Sequence, residues 1–144
     1  MNNPLHIPSH SLGISRNLMP QVAADSKRFL ADLEAKGVSI DKPQLYPEEI
    51  KATQSEFNHA GIRHIMKTKP RLTPPIISKD HYVLDGHHRW LAKLNSEPGK
   101  KMPVIRVGLN ILDLLAAASK HDTVEYRSIN QIRQTIKEAL TRTS

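Results

Sequence analysis

Apolar positions along this chain fall into two kinds of pattern, and together they predict an α+β domain. Val22, Ser26, Phe29, Leu30 and Leu33 recur at helical spacing, with Pro20 suited to a first turn and Gly37 to a C-terminal cap. Asn58 can cap a second helix whose apolar face is Ile62, Ile65 and Met66. Thr73-Pro74-Pro75 ends that helix and forces the chain into an extended path. Ile76-Ile77 and Tyr82-Val83-Leu84 read as paired strands around a Lys79-Asp80 turn. Leu91, Ala92 and Leu94 share one side of a helix running from about His87 to Leu94. Val38-Ser39-Ile40 and Val104-Ile105-Arg106-Val107 are further strands, and Ile111 to Ala118 is a helix with Asn110 as its cap.

The segment from Gln44 to Thr53 has no decisive period; Leu45, Tyr46 and Ile50 fit an extended entry to the fold. Residues 1–19 read as an irregular arm, broken by Pro4, Pro8 and Gly13. A last helix over 128–144 carries an apolar stripe of Ile129, Ile132, Ile136 and Leu140. That stripe packs on its own domain or serves a protein partner or a second copy. The organisation expected is an arm (1–19), one domain (20–127) and a C-terminal amphipathic helix (128–144).

Composition narrows the function classes. The 144 residues include no cysteine, so disulfides, thiolate nucleophiles and thiolate metal sites are excluded. No run approaches the roughly 20 apolar residues that span a bilayer, and the N-terminus does not read as a signal peptide. The expectation is a cytoplasmic protein with no membrane partner. The formal charge of +7 suits a polyanionic partner, nucleotide or DNA, or solubility alone. The clearest basic stretches, Lys67 to Arg71 and Lys100-Lys101, have no interleaved aromatic residue for base stacking.

The chemistry concentrates at Asp85-Gly86-His87-His88-Arg89, where a strand meets a helix. A helix start presents unpaired N–H groups and the positive end of the dipole. Gly86 permits a positive-φ turn and close approach, and Arg89 offers bidentate donors. Together they predict a phosphate site of Gly86, His88 and Arg89, with Lys79 as a further phosphate contact. Asp85 is the candidate catalytic carboxylate or Mg²⁺ holder, with helix capping as its plainer role. For His87 the alternatives are a general acid/base and a packing or capping residue. Glu56 and Gln54 join the site only if their segment folds back over the motif. Adjacent His87 and His88 point about 100° apart on a helix, which makes them poor co-ligands for one ion. His59, His64 and His81 complete no zinc spacing. Trp90 is expected to pack the motif helix.

Over about residues 44–115 the chain resembles the ParB/sulfiredoxin superfamily. The likeness is carried by Leu45-Tyr46-Pro47, Thr53-Gln54, Pro75-Ile76-Ile77-Ser78, the Tyr82–Ala92 stretch and Met102-Pro103-Val104-Ile105. It implies a small twisted mixed sheet flanked by helices, with nucleotide phosphates at the motif helix. His87 stands where sulfiredoxins need cysteine, so sulfinic acid reduction is excluded. Partition proteins carry Gly-Glu-Arg-Arg at this turn, and no helix-turn-helix module comes after it here. Free-serine kinases share Asp-Gly-x-His-Arg but use an upstream glutamate where this chain has Gln54. The stretch is most similar to ParB-like nuclease domains of phage and plasmid proteins. The resemblance implies ATP or CTP with Mg²⁺, and phosphoryl transfer or phosphodiester hydrolysis. The contrasting expectation is a non-enzymatic DNA- or protein-binding module with a vestigial or switch-like nucleotide pocket.

Overall fold

The computed structural model describes residues 5–8, 11–15, 19, 26–70 and 73–121. The helices are α1 (Ser26–Ala35), α2 (His59–Thr68), α3 (His87–Ser96) and α4 (Ile111–His121). The strands are β1 (Ile40–Asp41), β2 (Gln44–Leu45), β3 (Ile76–Ile77), β4 (Val83–Asp85), β5 (Met102–Pro103) and β6 (Ile105–Val107). A 3-10 turn occupies Pro47–Glu49. Pro20, Val22 and the expected helix over 128–144 lie outside the described residues.

The architecture is α+β, as the pattern predicts. One mixed sheet has the order β1-β6-β3-β4, with β3 parallel to β6 and the other pairs antiparallel. β2 and β5 form a separate antiparallel pair. The pairings Ile40↔Val107, Asp41↔Arg106, Gln44↔Pro103 and Leu45↔Met102 share one register. Val104 N–H donates to Pro43 C=O between them at 3.1 Å. Residues 40–45 and 102–107 are therefore one antiparallel ribbon with a local break. Its two prolines interrupt the ladder because each lacks an N–H.

Side-chain alternation along the strands builds two cores. Ile76, Leu84 and Val107 face one side, where they pack with Phe29, Leu33, Ile111, Leu114, Leu115 and Ala118 of α1 and α4. Ile77, Val83 and Val104 face the other, with Ile62 of α2 and Trp90, Leu91 and Leu94 of α3. The period of two in a strand explains how adjacent residues serve opposite layers. The N-terminal segment adds to this: Leu12 and Ile14 are buried, and Leu12 and Ile14 N–H groups donate to Ala52 and Thr53 C=O, both at 3.2 Å.

Helix ends reflect the local sequence. Asn58 Oδ1 accepts from Gly61 N–H at 3.0 Å, and Asn110 Oδ1 from Asp113 N–H at 2.9 Å. Gly37, at φ +88°, stands just beyond α1. The β3–β4 hairpin closes through Lys79-Asp80, and Asp80 Oδ1 accepts from Ile111 N–H at 3.0 Å, tying the turn to the start of α4. The strand expected from Val38 begins only at Ile40, and Gln44 to Thr53 splits into β2, the 3-10 turn and a bridge from Lys51 to Tyr82. No helix among the described residues is long and apolar enough to cross a membrane.

Trp90 is the largest fully buried side chain, and its Nε1–H donates to Pro47 C=O at 2.8 Å. Trp90→Phe removes that hydrogen bond, leaving Pro47 C=O with Ile50 N–H at 3.2 Å, and puts a smaller ring in the core. A loss of about 1–3 kcal/mol in urea unfolding, from the lost bond and the space left by the indole, monitored by far-ultraviolet circular dichroism, is expected.

Candidate functional site

The strand-to-helix junction forms because β4 ends at Asp85 and Gly86 turns the chain at φ +99° into α3. Gly86 is the N-cap, with no side-chain cap. The capping role weighed for Asp85 is therefore corrected: a left-handed Gly86 makes the turn, and the Asp85 carboxylate is engaged elsewhere. Its Oδ2 accepts from Arg89 Nη2 at 2.9 Å, one helical turn on.

Arg89 folds back over the helix start. Its Nη1 donates to Thr73 C=O at 2.6 Å and also to the Thr73 hydroxyl. A Cβ placed on Gly86 would stand 2.7 Å from Arg89 Nη2. Glycine is thus required twice, by the backbone conformation and by the guanidinium lying against it. The Arg89 side chain is 17% exposed and that of Asp85 25%. Of the five N–H groups of a guanidinium, Nε–H and one on Nη2 have no partner among the described residues.

The two histidines hold a loop rather than a ligand set. His87 is buried, and its Nε2 accepts from Thr53 N–H at 3.0 Å and Gln54 N–H at 3.3 Å. That pattern requires the proton on Nδ1. Burial, reinforced by the neighbouring His88, pushes the His87 pKa down to about 3. Of its two expected roles the geometry supports packing. A ring that stays neutral, with Nε2 occupied by two backbone donors, is poorly placed for proton transfer. His88 Nε2 accepts from Asn58 N–H at 2.9 Å. Phe57 and Trp90 flank His87, with ring centroids at 5.8 and 6.4 Å.

Residues 53–58 therefore do fold back over the start of α3, the condition on which Gln54 and Glu56 depended. Gln54 is buried and its Nε2 donates to Glu56 C=O at 2.6 Å, so its amide shapes the loop. Glu56 is exposed on that loop. Thr53 Oγ1 is buried beside His87 with no hydrogen-bond partner among the described residues, a place for a water or a ligand polar atom.

Lys79 is not brought to this group. It is exposed in the turn, where its N–H donates to Leu109 C=O at 2.8 Å. Ile76 pairs with Asp85, so the junction and the turn lie at opposite ends of the hairpin. Lys79 is near the motif in number, but the strand direction carries it away. No group of three or more His, Asp or Glu side chains suited to a metal ion occurs among the described residues. An Mg²⁺ here would depend on Asp85, whose Oδ1 has no hydrogen bond among the described residues, together with ligand oxygens.

No family model matches this sequence, and no curated protein matches it. A solved structure of a Pnob8-like ParB-N domain, in a C2221 crystal form, is similar at a TM-score of 0.44 and 10% identity. The match covers 74% of this chain and 47% of that one, so the chain spans less than half the length of that structure.

The buried histidine makes stability depend on pH. Below pH 6.5 the unfolded chain protonates its residue 87 while the native ring stays neutral down to about 3. This contribution to stability is therefore complete above pH 6.5 and is lost as pH falls toward 3, at up to about 1.4 kcal/mol per pH unit. Urea unfolding of the wild type and of His87→Gln across that range should diverge most at neutral pH and converge in acid. The glycine turn is open to a separate test with Gly86→Ala and Gly37→Ala. The two positions share a positive φ but differ in surroundings: nothing lies within 4 Å of a Cβ at Gly37. Each variant should lose about 1–3 kcal/mol for backbone strain, Gly86→Ala more, and Arg89→Ala should relieve that excess in the double variant.

Proposed function

We propose that the start of α3 binds the phosphate of a nucleotide, ATP or CTP, and that Asp85 supports phosphoryl transfer or phosphodiester hydrolysis beside it. One observation carries this reading. The Arg89 guanidinium is held over Gly86 by Asp85 and Thr73, with donors remaining, at the positive end of a helix. The likeness of the Asp85–Trp90 stretch to ParB-like nuclease domains points the same way.

The residues divide the work by position. Arg89 and His88 are the residues of α3 that would contact the incoming phosphate, and Gly86 adds no side chain of its own. Asp85 is the carboxylate that can accept a proton from an attacking hydroxyl or water. Mg²⁺, when bound, would neutralise phosphate charge. Glu56 supplies a second carboxylate on the loop that His87 and His88 hold against the helix. His87 contributes by fixing that loop. This leaves Asp85 and Glu56 as the acid/base groups, and catalysis would be mostly positioning and charge stabilisation.

A second reading, a non-enzymatic module that binds nucleotide or DNA without turnover, is favoured by one observation. Asp85 is ion-paired with Arg89 and His87 is committed to the backbone, so neither is an unengaged base.

Calorimetric titration with ATP, ADP, CTP and GTP, with and without Mg²⁺, tests the first reading. Arg89→Ala should weaken the retained nucleotide about tenfold or more, the equivalent of about 1.4 kcal/mol. No binding by any of the four would overturn it. Turnover of bound nucleotide or cleavage of DNA that Asp85→Asn abolishes separates the enzyme from the module.

A further inference from the structure

On α3, Arg89, Ala92, Lys93 and Ser96 lie on the face opposite His87, given about 100° per residue. There a cleft of about 310 Å³ opens between the end of α2, the Thr73–Pro75 segment, α3 and β5. Its walls are apolar, chiefly Ile65, Met66, Pro74, Pro75, Ala92 and Met102. Its volume is at the lower end of the roughly 300–1,000 Å³ of small-molecule sites.

The rim is basic. Lys69, Arg89 and Lys93 line the cleft. Lys100 joins them through Glu97, which accepts from Lys93 at 3.0 Å and lies 3.3 Å from Lys100. Lys101 precedes the wall residue Met102. All four lysines are exposed, and Lys69 and Lys101 have no ion pair among the described residues. The carboxylates facing these cations are Glu97 and Asp85. Lys69 holds a left-handed conformation, φ +46°, at a helix end where glycine would be unstrained.

An aromatic residue stands beside the rim. Tyr46, at 42%, is the exposed large hydrophobic side chain among the described residues. It lies just after β2, which pairs with β5, and Lys101 Nζ is 5.4 Å from its ring centroid. Glu48 and Glu49 bound the patch beyond it; Glu49 Oε2 accepts from Tyr46 N–H at 2.8 Å.

We propose that this face binds single-stranded nucleic acid. The lysines contact successive phosphates, Tyr46 stacks one base, and the cleft receives another. Basic residues alongside an exposed ring suit an unpaired strand, because its bases are free to stack on protein. A concave apolar cleft adds nothing to a duplex, whose bases are already stacked. The proposal does not depend on a nucleotide at the start of α3, and its test leaves Arg89 intact.

Fluorescence anisotropy of the full chain is measured with labelled oligo(dT) and oligo(rU) of about 15 nucleotides, the equivalent duplex, and anionic vesicles. Either single strand should bind at least about tenfold more tightly than duplex, and the better of the two names the sugar. For about three or four phosphate contacts, the logarithm of affinity should fall against the logarithm of salt with a slope of about −2 to −3. Lys69→Glu with Lys101→Glu should weaken binding about tenfold or more, and Tyr46→Ala several-fold, with Tyr46→Phe close to wild type. Glu97→Gln should tighten binding about two- to fivefold, a change that misfolding does not produce. The proposal is overturned if neither strand binds at about 50 mM salt, or if duplex or vesicles bind as tightly. It is equally overturned if binding ignores both the lysine reversal and Glu97→Gln.

Discussion

A neutral imidazole in the core organises this molecule. Trp90 and Phe57 flank His87, and its one lone pair receives Thr53 and Gln54 N–H. Those two donors belong to a segment that no named strand satisfies. Removing the ring's acceptor would leave buried N–H groups unpaired, at about 1–3 kcal/mol each. The same segment supports the N-terminal residues: Ile14 N–H donates to Thr53 C=O at 3.2 Å, and Ser55 N–H to Ile14 C=O at 2.9 Å. One residue upstream of Ala52, Lys51 bridges Tyr82 at the edge of β4. The arm, the 53–58 loop, the edge of the sheet and the start of α3 are therefore held in register around one side chain.

This arrangement explains which parts of the fold are legible in the sequence. The β3–β4 hairpin, the Asn58 and Asn110 caps and the Gly86 turn depend on local chemistry: β-branched runs, side-chain acceptors and a residue that tolerates positive φ. Each is written within a few residues. The ribbon joining 40–45 to 102–107 is not, because its strands are two or three residues long and their pairing spans some sixty residues of chain. No period of two develops over so short a run. The Gln44 to Thr53 segment is ambiguous for the same reason.

The site divides along the same line. Gly86, Arg89 and Asp85 meet because they are neighbours on one turn, so their spacing alone is informative. His87 gives no local sign of which way its ring points, and burial selects its role. Lys79 shows the reverse error: closeness in sequence across a hairpin tip is distance in space from the hairpin's open end. Tyr46 and Lys101 are far apart in the chain, and only the β2–β5 pairing sets the ring beside the charge. The Lys100-Lys101 stretch looks bare of aromatic residues because its ring comes from another segment.

Arg89 connects the two faces of α3. Its Nη2 belongs to the motif through Asp85, and its Nη1 belongs to the cleft wall through Thr73, the residue ahead of Pro74 and Pro75. A free arginine loses about 2 kcal/mol of rotamer freedom when it is immobilised on a ligand. Here that ordering is already done by folding, because three of its N–H groups are fixed on partners that flank the helix start. The remaining donors are held in place, so the phosphate of the proposed reading would need little further ordering of the chain. The same contacts set a constraint. Any anion that draws the guanidinium away from Asp85 also loosens its hold on Thr73, so the geometry of the motif and of the cleft wall is coupled through a single planar group.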